Sequence, residues 1–279
     1  MSCGSFSFFA AALLDCIKSI TQLSWNDHMV SREEWKTLIG MAPREFVTQA
    51  HTYRSNFTSY TMPVLLGCHD GHDYVVKSAT QPELFRVLCS DQIMGHIAMT
   101  IGAPAPVVRL VEIPQELIEG EPEMAKIPAG IAHGSRYLKN VSKIRQGIQF
   151  QNVPENRSRF ALLSIMYGLA GVDGDHQFFY EDSTNIVWSF DHGHFFHSGP
   201  CWTIETLRAT PAAVPDPVIA IGCGLAVEEL TEAAKCLVHL MDEAIAFAVA
   251  SPEDAWQIMM DERIALAEHF RSRADDLAI

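Results

Sequence analysis

The stretch Asp173-Gly-Asp-His-Gln-Phe-Phe-Tyr180, followed closely by Trp188-Ser-Phe-Asp-His-Gly-His-Phe-Phe196, decides how this chain is read. It sets three carboxylates, Asp173, Asp175 and Asp191, on a pattern of turn, strand and turn. The apolar run Ile186-Val-Trp-Ser-Phe190 predicts a buried strand that delivers Asp191 at its end. Carboxylates so spaced suit phosphoryl transfer. One orients or deprotonates the attacking hydroxyl, and another holds a magnesium ion that neutralises the transferring group. Three carboxylates crowded together are costly unless a cation or protons compensate them.

Further pieces follow outward from this stretch. Gly193 stands two residues after Asp191, the spacing of a D-x-G metal motif. Upstream, Tyr74-Val-Val-Lys77 reads as a short strand ending in a lysine placed to meet nucleotide phosphates. The turn before it, Gly67-Cys-His-Asp-Gly71, is glycine-bounded but lacks a full G-x-G-x-x-G. The same region offers a second ligand set, because His176, His192, His194 and His197 accompany the aspartates. Neutral imidazoles with carboxylates would suit a zinc or two-metal hydrolase, although no H-E-x-x-H completes a conventional set.

Composition narrows the classes. The 279 residues are 48% hydrophobic, ample for a real core in one large domain or two lobes. Asp and Glu number 34 against 20 Lys and Arg, for a formal charge of −14. That field argues against nucleic acid and anionic membrane surfaces as partners. The 7 cysteines form no C-x-x-C pair, so free thiols in a reducing cytoplasm are expected. Phe6 to Leu14 is apolar but too short to span a bilayer.

Residues 1–43 read as a helical extension, with Phe9, Leu13, Ile17 and Ile20 on one face and Ser31-Arg-Glu-Glu34 as a capping box opening a second helix. From 44 to 77 the pattern is β, with strands expected through Met62-Pro-Val-Leu-Leu66 and over His72 to Ser78. A helix is predicted from Gln81 to Ile101, stopped by Gly102-Ala-Pro104, and a strand over Val107 to Val111. Proline and glycine cluster in 119–134, which reads as a loop or lobe junction. A helix over Arg159 to Leu169 leads into the acidic stretch, and 198–218 reads mostly as loop. Two helices close the chain, Val227 to Ala250 and one opened by Ser251-Pro252 that runs through Phe270.

In their order along the chain these elements resemble the HipA-like kinases, a branch of the protein-kinase-like superfamily related to phosphoinositide kinases. The resemblance rests on Pro63-Val-Leu-Leu-Gly-Cys-His-Asp-Gly71 running into Lys77, and on the helix end Ile97-Ala-Met-Thr-Ile-Gly-Ala-Pro104. It rests also on Gly130-Ile-Ala-His-Gly-Ser135, Asp175-His-Gln177 and Asp191-His-Gly-His-Phe195, in that order. It implies an α+β, two-lobed protein-kinase-like fold with a β-rich N-lobe over 44–111 and a helical C-lobe over 112–279. It further implies an ATP- and Mg²⁺-dependent phosphotransferase that moves the γ-phosphoryl group to a hydroxyl acceptor, protein Ser/Thr among the candidates.

Carried over residue by residue, Lys77, with Gly67 and Gly71, would contact the nucleotide, and Asp91 holds the position where a glutamate usually pairs with the strand lysine. Asp191 would hold the metal, with Gln177 or Asn185 filling in if the loop has shifted, and Asp175 or Asp173 would act on the substrate hydroxyl, Asp175 being favoured beside His176. Two departures stand out. The family's D-x-H-x-x-N would put its aspartate at Gly174 and its asparagine at Phe179. Either the loop is shifted and working, or the chain is a nucleotide-binding pseudokinase that serves as an interaction module.

Overall fold

The computed structural model describes residues 30–59, 61–80, 84–143, 148–172, 174 and 176–278. The stripe through Phe9 to Ile20 and the two aspartates Asp173 and Asp175 lie outside the described residues. The first described helix, α1 (Arg32–Met41), opens on the capping box expected at Ser31. The Glu34 amide donates to Ser31 Oγ, and the Glu34 carboxylate accepts from the Ser31 amide at 2.8 Å. Trp35 and Ile39, one turn apart, are buried against the C-terminal helices.

Five strands close into a barrel: β1 (Val47–Asn56), β2 (Val64–Cys68), β3 (Asp73–Lys77), β4 (Val108–Ile113) and β5 (Gly130–Arg136), in spatial order β1-β2-β3-β5-β4. The seam between β1 and β4 is parallel, with Thr48 opposite Val111, and the other pairings are antiparallel. Leu66, Tyr74, Val76, Val111 and Ala132 fill the interior. The loop expected over 119–134 therefore ends in a barrel strand, and the β-rich region runs past residue 111. Its small residues hid it. A Cβ on Gly134 would overlap the Val111 side chain, so the barrel's tight interior requires glycine where a strand pattern would show an apolar residue. Between β4 and β5 lie the short helix α3 (Gln115–Gly120) and a 3₁₀ turn, Pro122–Met124.

Helix α2 (Phe85–Ile101) links β3 to β4 and ends at Gly102, whose φ of 69° forms the left-handed cap the sequence signals. The rest of the chain is mainly helical. A small sheet of β6 (Val141–Lys143), β7 (Phe178–Glu181) and β8 (Val187–Ser189) packs on α4 (Pro154–Ala170). Helices α5 (Ile204–Ala209) and α6 (Pro217–Gly222) punctuate the region read as loop.

The helix expected over 227–250 is broken into α7 (Val227–Ala234), a 3₁₀ segment Lys235–His239 and α8 (Asp242–Ala250). No glycine or proline marks the break, but Asp242 and Glu243 sit in the first turn of α8, where the helix dipole favours them. The last helix, α9 (Met260–Leu277), starts nine residues after Ser251. Ser251 instead extends the end of α8, its amide donating to Phe247 O at 3.0 Å. Tertiary contacts override the local signal, because Arg263 reaches back and donates to the carbonyls of Val249, Ala250 and Pro252 at 2.8, 2.9 and 3.0 Å.

That guanidinium gives a direct test of what shapes the tail. Arg263→Met keeps the stem but leaves three carbonyls without their donor. The loss should be about 2–3 kcal/mol, read as a lower urea midpoint. An unchanged midpoint would mean that apolar packing alone sets the bend.

Candidate functional site

Lys77 ends β3, and its side chain is only 11% exposed. Its ammonium donates to Asp91 Oδ2 at 2.8 Å and also to Asp191 Oδ1. One buried cation thus joins three elements: β3, α2 and the turn after β8. Burial lowers the Lys77 pKa, but the two carboxylates outweigh it and raise it above the ordinary lysine value. Burial raises the Asp191 carboxyl, yet Lys77 beside it holds it below the usual range. Asp191 is therefore ionised at neutral pH, and its side chain is 45% exposed against 4% for Asp91. One carboxylate is enclosed with the lysine, while the other faces the opening.

Local backbone explains how Asp191 gets there. It has φ 61° and ψ 62°, a left-handed conformation costing about 1–2 kcal/mol in a residue with a Cβ. Such strain persists only where surrounding contacts impose it. A 3₁₀ turn, His192–His194, follows and lies against α2, where Gly193 packs on Val87 and Asp91. His192 is buried, its Nε2 is 3.0 Å from Ser189 Oγ, and that hydroxyl is 2.9 Å from Tyr167 OH. Burial pushes the His192 pKa down to about 4, so the ring braces the turn as a neutral group.

The other predicted residues are placed as follows. Gln177 lies next to Asp191 across the β7–β8 pair, since the Phe190 amide reaches its carbonyl at 3.5 Å and Phe178 pairs with Ser189. Its side-chain Oε1 accepts from Lys143 Nζ at 2.6 Å. Phe179, where the resemblance calls for asparagine, packs against Phe190 with the rings tilted by 49° and their centroids 4.6 Å apart.

His176, between the two undescribed aspartates and Gln177, is held by Asp216 Oδ1 at 2.9 Å and stacks on Tyr167. Two of the four histidines that suggested a hydrolase thus already serve protein partners. Among the described residues, no group of three or more His, Cys, Asp or Glu is arranged to hold a metal ion.

Gly67 and Gly71 are not brought to Lys77. Gly67 pairs with Asp73 and Val64 with Val76, so the glycine turn closes the hairpin at the end away from Lys77. Four residues of extended strand, about 13 Å, separate the two ends. The turn is tied to itself: Asp70 accepts from the His72 amide at 3.0 Å and from Tyr74 OH at 2.8 Å. The connection at the Lys77 end is 57–63, between β1 and β2, closed by the Phe57 amide donating to Pro63 O at 2.9 Å. Thr58, Ser59 and Thr61 lie on it. Sequence reasoning passed over this loop because it has no glycine. Its signal is position alone, between β1 and the first strand of the lysine hairpin.

Comparison with known proteins adds what the chain is similar to. Residues 51–163 match the family of HipA-like kinases. Over that span the chain is similar to HipA-like kinases. The span takes in Lys77 and Asp91 but ends within α4, before Asp191. No curated protein matches the chain. Among solved structures, the Helicobacter pylori proinflammatory kinase CtkA aligns with a TM-score of 0.50 at 10% identity, covering 83% of this chain and 94% of that one. At that identity the likeness concerns fold: a β-rich N-terminal region followed by a helical C-terminal region.

The contact between Gly193 and α2 is the tightest joint of the site, because a Cβ there would overlap Val87. Gly193→Ala should cost about 1–3 kcal/mol of stability through overpacking and push Asp191 away from Lys77. Adding Val87→Ala should recover most of that loss, measured by thermal denaturation. If the double variant is no more stable than Gly193→Ala, the two elements are not in the contact described.

Proposed function

We propose that this chain is an ATP- and Mg²⁺-dependent kinase that transfers the γ-phosphoryl group to a hydroxyl acceptor. The observation that carries the reading is one lysine shared by a helix carboxylate and a second carboxylate at a strand end. Lys77, Asp91 and Asp191 together carry a net charge of −1 in a largely enclosed place. A phosphate alone would be repelled there, whereas a divalent cation on the exposed side of Asp191 reverses the local sign. The donor set therefore fits a magnesium nucleotide. When bound, that group supplies the phosphoryl moiety and the positive charge that offsets its oxygens as it transfers.

The chain's own residues have separate tasks. Asp91 keeps Lys77 oriented, and Lys77 neutralises phosphate oxygens. Asp191 holds the cation. A carboxylate of the 173–175 pair, Asp175 in preference, takes the hydroxyl proton, and the next residue, His176, is fixed by Asp216. The 57–63 connection, at the Lys77 end, is a better candidate for covering the phosphates than the Gly67–Gly71 turn. In this reading the fold is two-lobed and protein-kinase-like, with the lobes meeting near residue 137, after β5.

The match to HipA-like kinases supports the class of activity. The acceptor is proposed from charge: at −14, the surface favours a basic protein over nucleic acid or an anionic membrane. Among the described residues, no helix is long and apolar enough to cross a membrane. Cys68, Cys89, Cys201, Cys223 and Cys236 are free thiols, which suits a reducing cytoplasm.

Phe179 favours one second reading, a pseudokinase that binds nucleotide without turnover, since an apolar ring stands where a metal-binding asparagine is expected.

Transfer from labelled ATP to a panel of basic proteins separates the two. Wild type should label itself or an acceptor only with Mg²⁺, and Asp191→Asn should lose about 10²- to 10³-fold in rate. Equal rates for the two proteins would reject the assignment. ATP-induced thermal stabilisation without any transfer would favour the pseudokinase.

A further inference from the structure

Helix α2 raises a question that its apolar packing does not answer. Thirteen of its 17 residues are buried, and they lie all around the axis. Apolar burial is non-directional; close contacts of Gly95 with Val108 on β4 and of Val87 with Gly193 limit the rotation, and buried polar bonds can narrow it further. Yet only one rotation puts Asp91 on Lys77. A neighbouring rotation would present Ser90 or Gln92 instead.

A buried polar chain runs through the helix beside Asp91. Gln92 is fully buried, and its Oε1 lies 2.8 Å from His133 Nδ1 on β5. Its Nε2 lies 3.1 Å from His96 Nε2, one turn along α2. The same His96 Nε2 abuts the carboxylate of Glu45, just ahead of β1, so the Gln92 amide and the carboxylate compete for one ring nitrogen. Glu45 Oε1 accepts from the Phe46 amide at 2.9 Å and lies 3.9 Å from Arg109 Nη1 on β4. Phe247 of α8 meets the edge of the His96 ring at 4.9 Å. On the strand side, His133 is the register partner of both Lys77 and Leu110. Burial lowers the His133 pKa to about 4, so at neutral pH the ring carries a single N–H. Because Gln92 Oε1 only accepts, that hydrogen sits on Nδ1.

We infer that Gln92 is a positioning residue: its bond to His133 fixes the rotation of α2 that sets Asp91 against Lys77, and phosphate binding at Lys77 depends on it although Gln92 touches neither Lys77 nor the phosphate. The hydrogen bond adds direction to those contacts, because another rotation leaves the Gln92 amide and the His133 ring buried without each other. The dependence on phosphate binding rests on the kinase reading. The rotation itself does not.

Two measurements on Gln92→Met, which has similar length and no hydrogen-bonding amide, test the idea. The first is acylation of Lys77 by an amine-reactive reagent, followed by mass spectrometry without any nucleotide. Labelling should rise about tenfold over wild type while the exposed lysines stay constant, a shift of one decade in the pairing equilibrium. His133→Leu should do the same, and His133→Asn, which keeps a donor near the Nδ1 position, should stay near wild type.

The second is a double-mutant cycle on the ATP dissociation constant, read by thermal shift. Gln92→Met should weaken binding about tenfold alone but add nothing to Asp91→Asn, since coupled sites are not additive. Unchanged Lys77 labelling in both Gln92→Met and His133→Leu overturns the inference, as does full additivity in the cycle. Should Gln92→Met fail to fold, the His133 pair decides. If wild type binds no ATP, the kinase reading falls while the labelling experiment still judges the rotation.

Discussion

A lysine ammonium buried between two carboxylates is the constraint on which the rest of this structure depends. Removing a charge from water is expensive, and an ion pair in a protein interior persists only when partners are held in good geometry. Here the partners come from α2 and from the turn after β8, 14 and 114 residues away from Lys77. Barrel, helix and small sheet must therefore all be formed before the cation is compensated. Truncating either aspartate would leave Lys77 with a single carboxylate to hold it, which is why the site is sensitive to changes outside it. Gly193 and the Gln92 chain are two such places, one controlling how closely the Asp191 turn approaches α2 and the other how α2 is rotated.

The same arrangement leaves an imbalance that function can use. Asp91 is enclosed and Asp191 is half open, so the pair divides into a fixed partner for the lysine and one that a cation can reach. His192 stays neutral and spends its hydrogen-bonding capacity on Ser189. Buried histidines around the lysine thus brace it without competing for its charge.

Much of this was legible in the sequence, for identifiable reasons. Lys77 and Asp191 each end a short apolar strand, and such ends bring polar residues to an opening. Helix α2 carried its own stop at Gly102. What stayed hidden depends on contacts distant in sequence. The Gly67–Gly71 turn has the right composition for a phosphate loop, but strand register puts it at the wrong end of the hairpin. Strand β5 reads as loop because its Gly134 answers to Val111 and Tyr74 across the barrel. The start of α9 follows Arg263 and its three carbonyls rather than the Ser251-Pro252 signal. Asp216 lies in a proline-rich loop by composition, and nothing local marks it as the partner of His176.

The most direct test of this account is a crystal structure with Mg²⁺ and a non-hydrolysable ATP analogue. The account predicts that Lys77 keeps Asp91 and exchanges Asp191 for a phosphate oxygen, while Asp191 turns to the metal. A nucleotide bound elsewhere, with the Lys77–Asp191 pair intact, would contradict it.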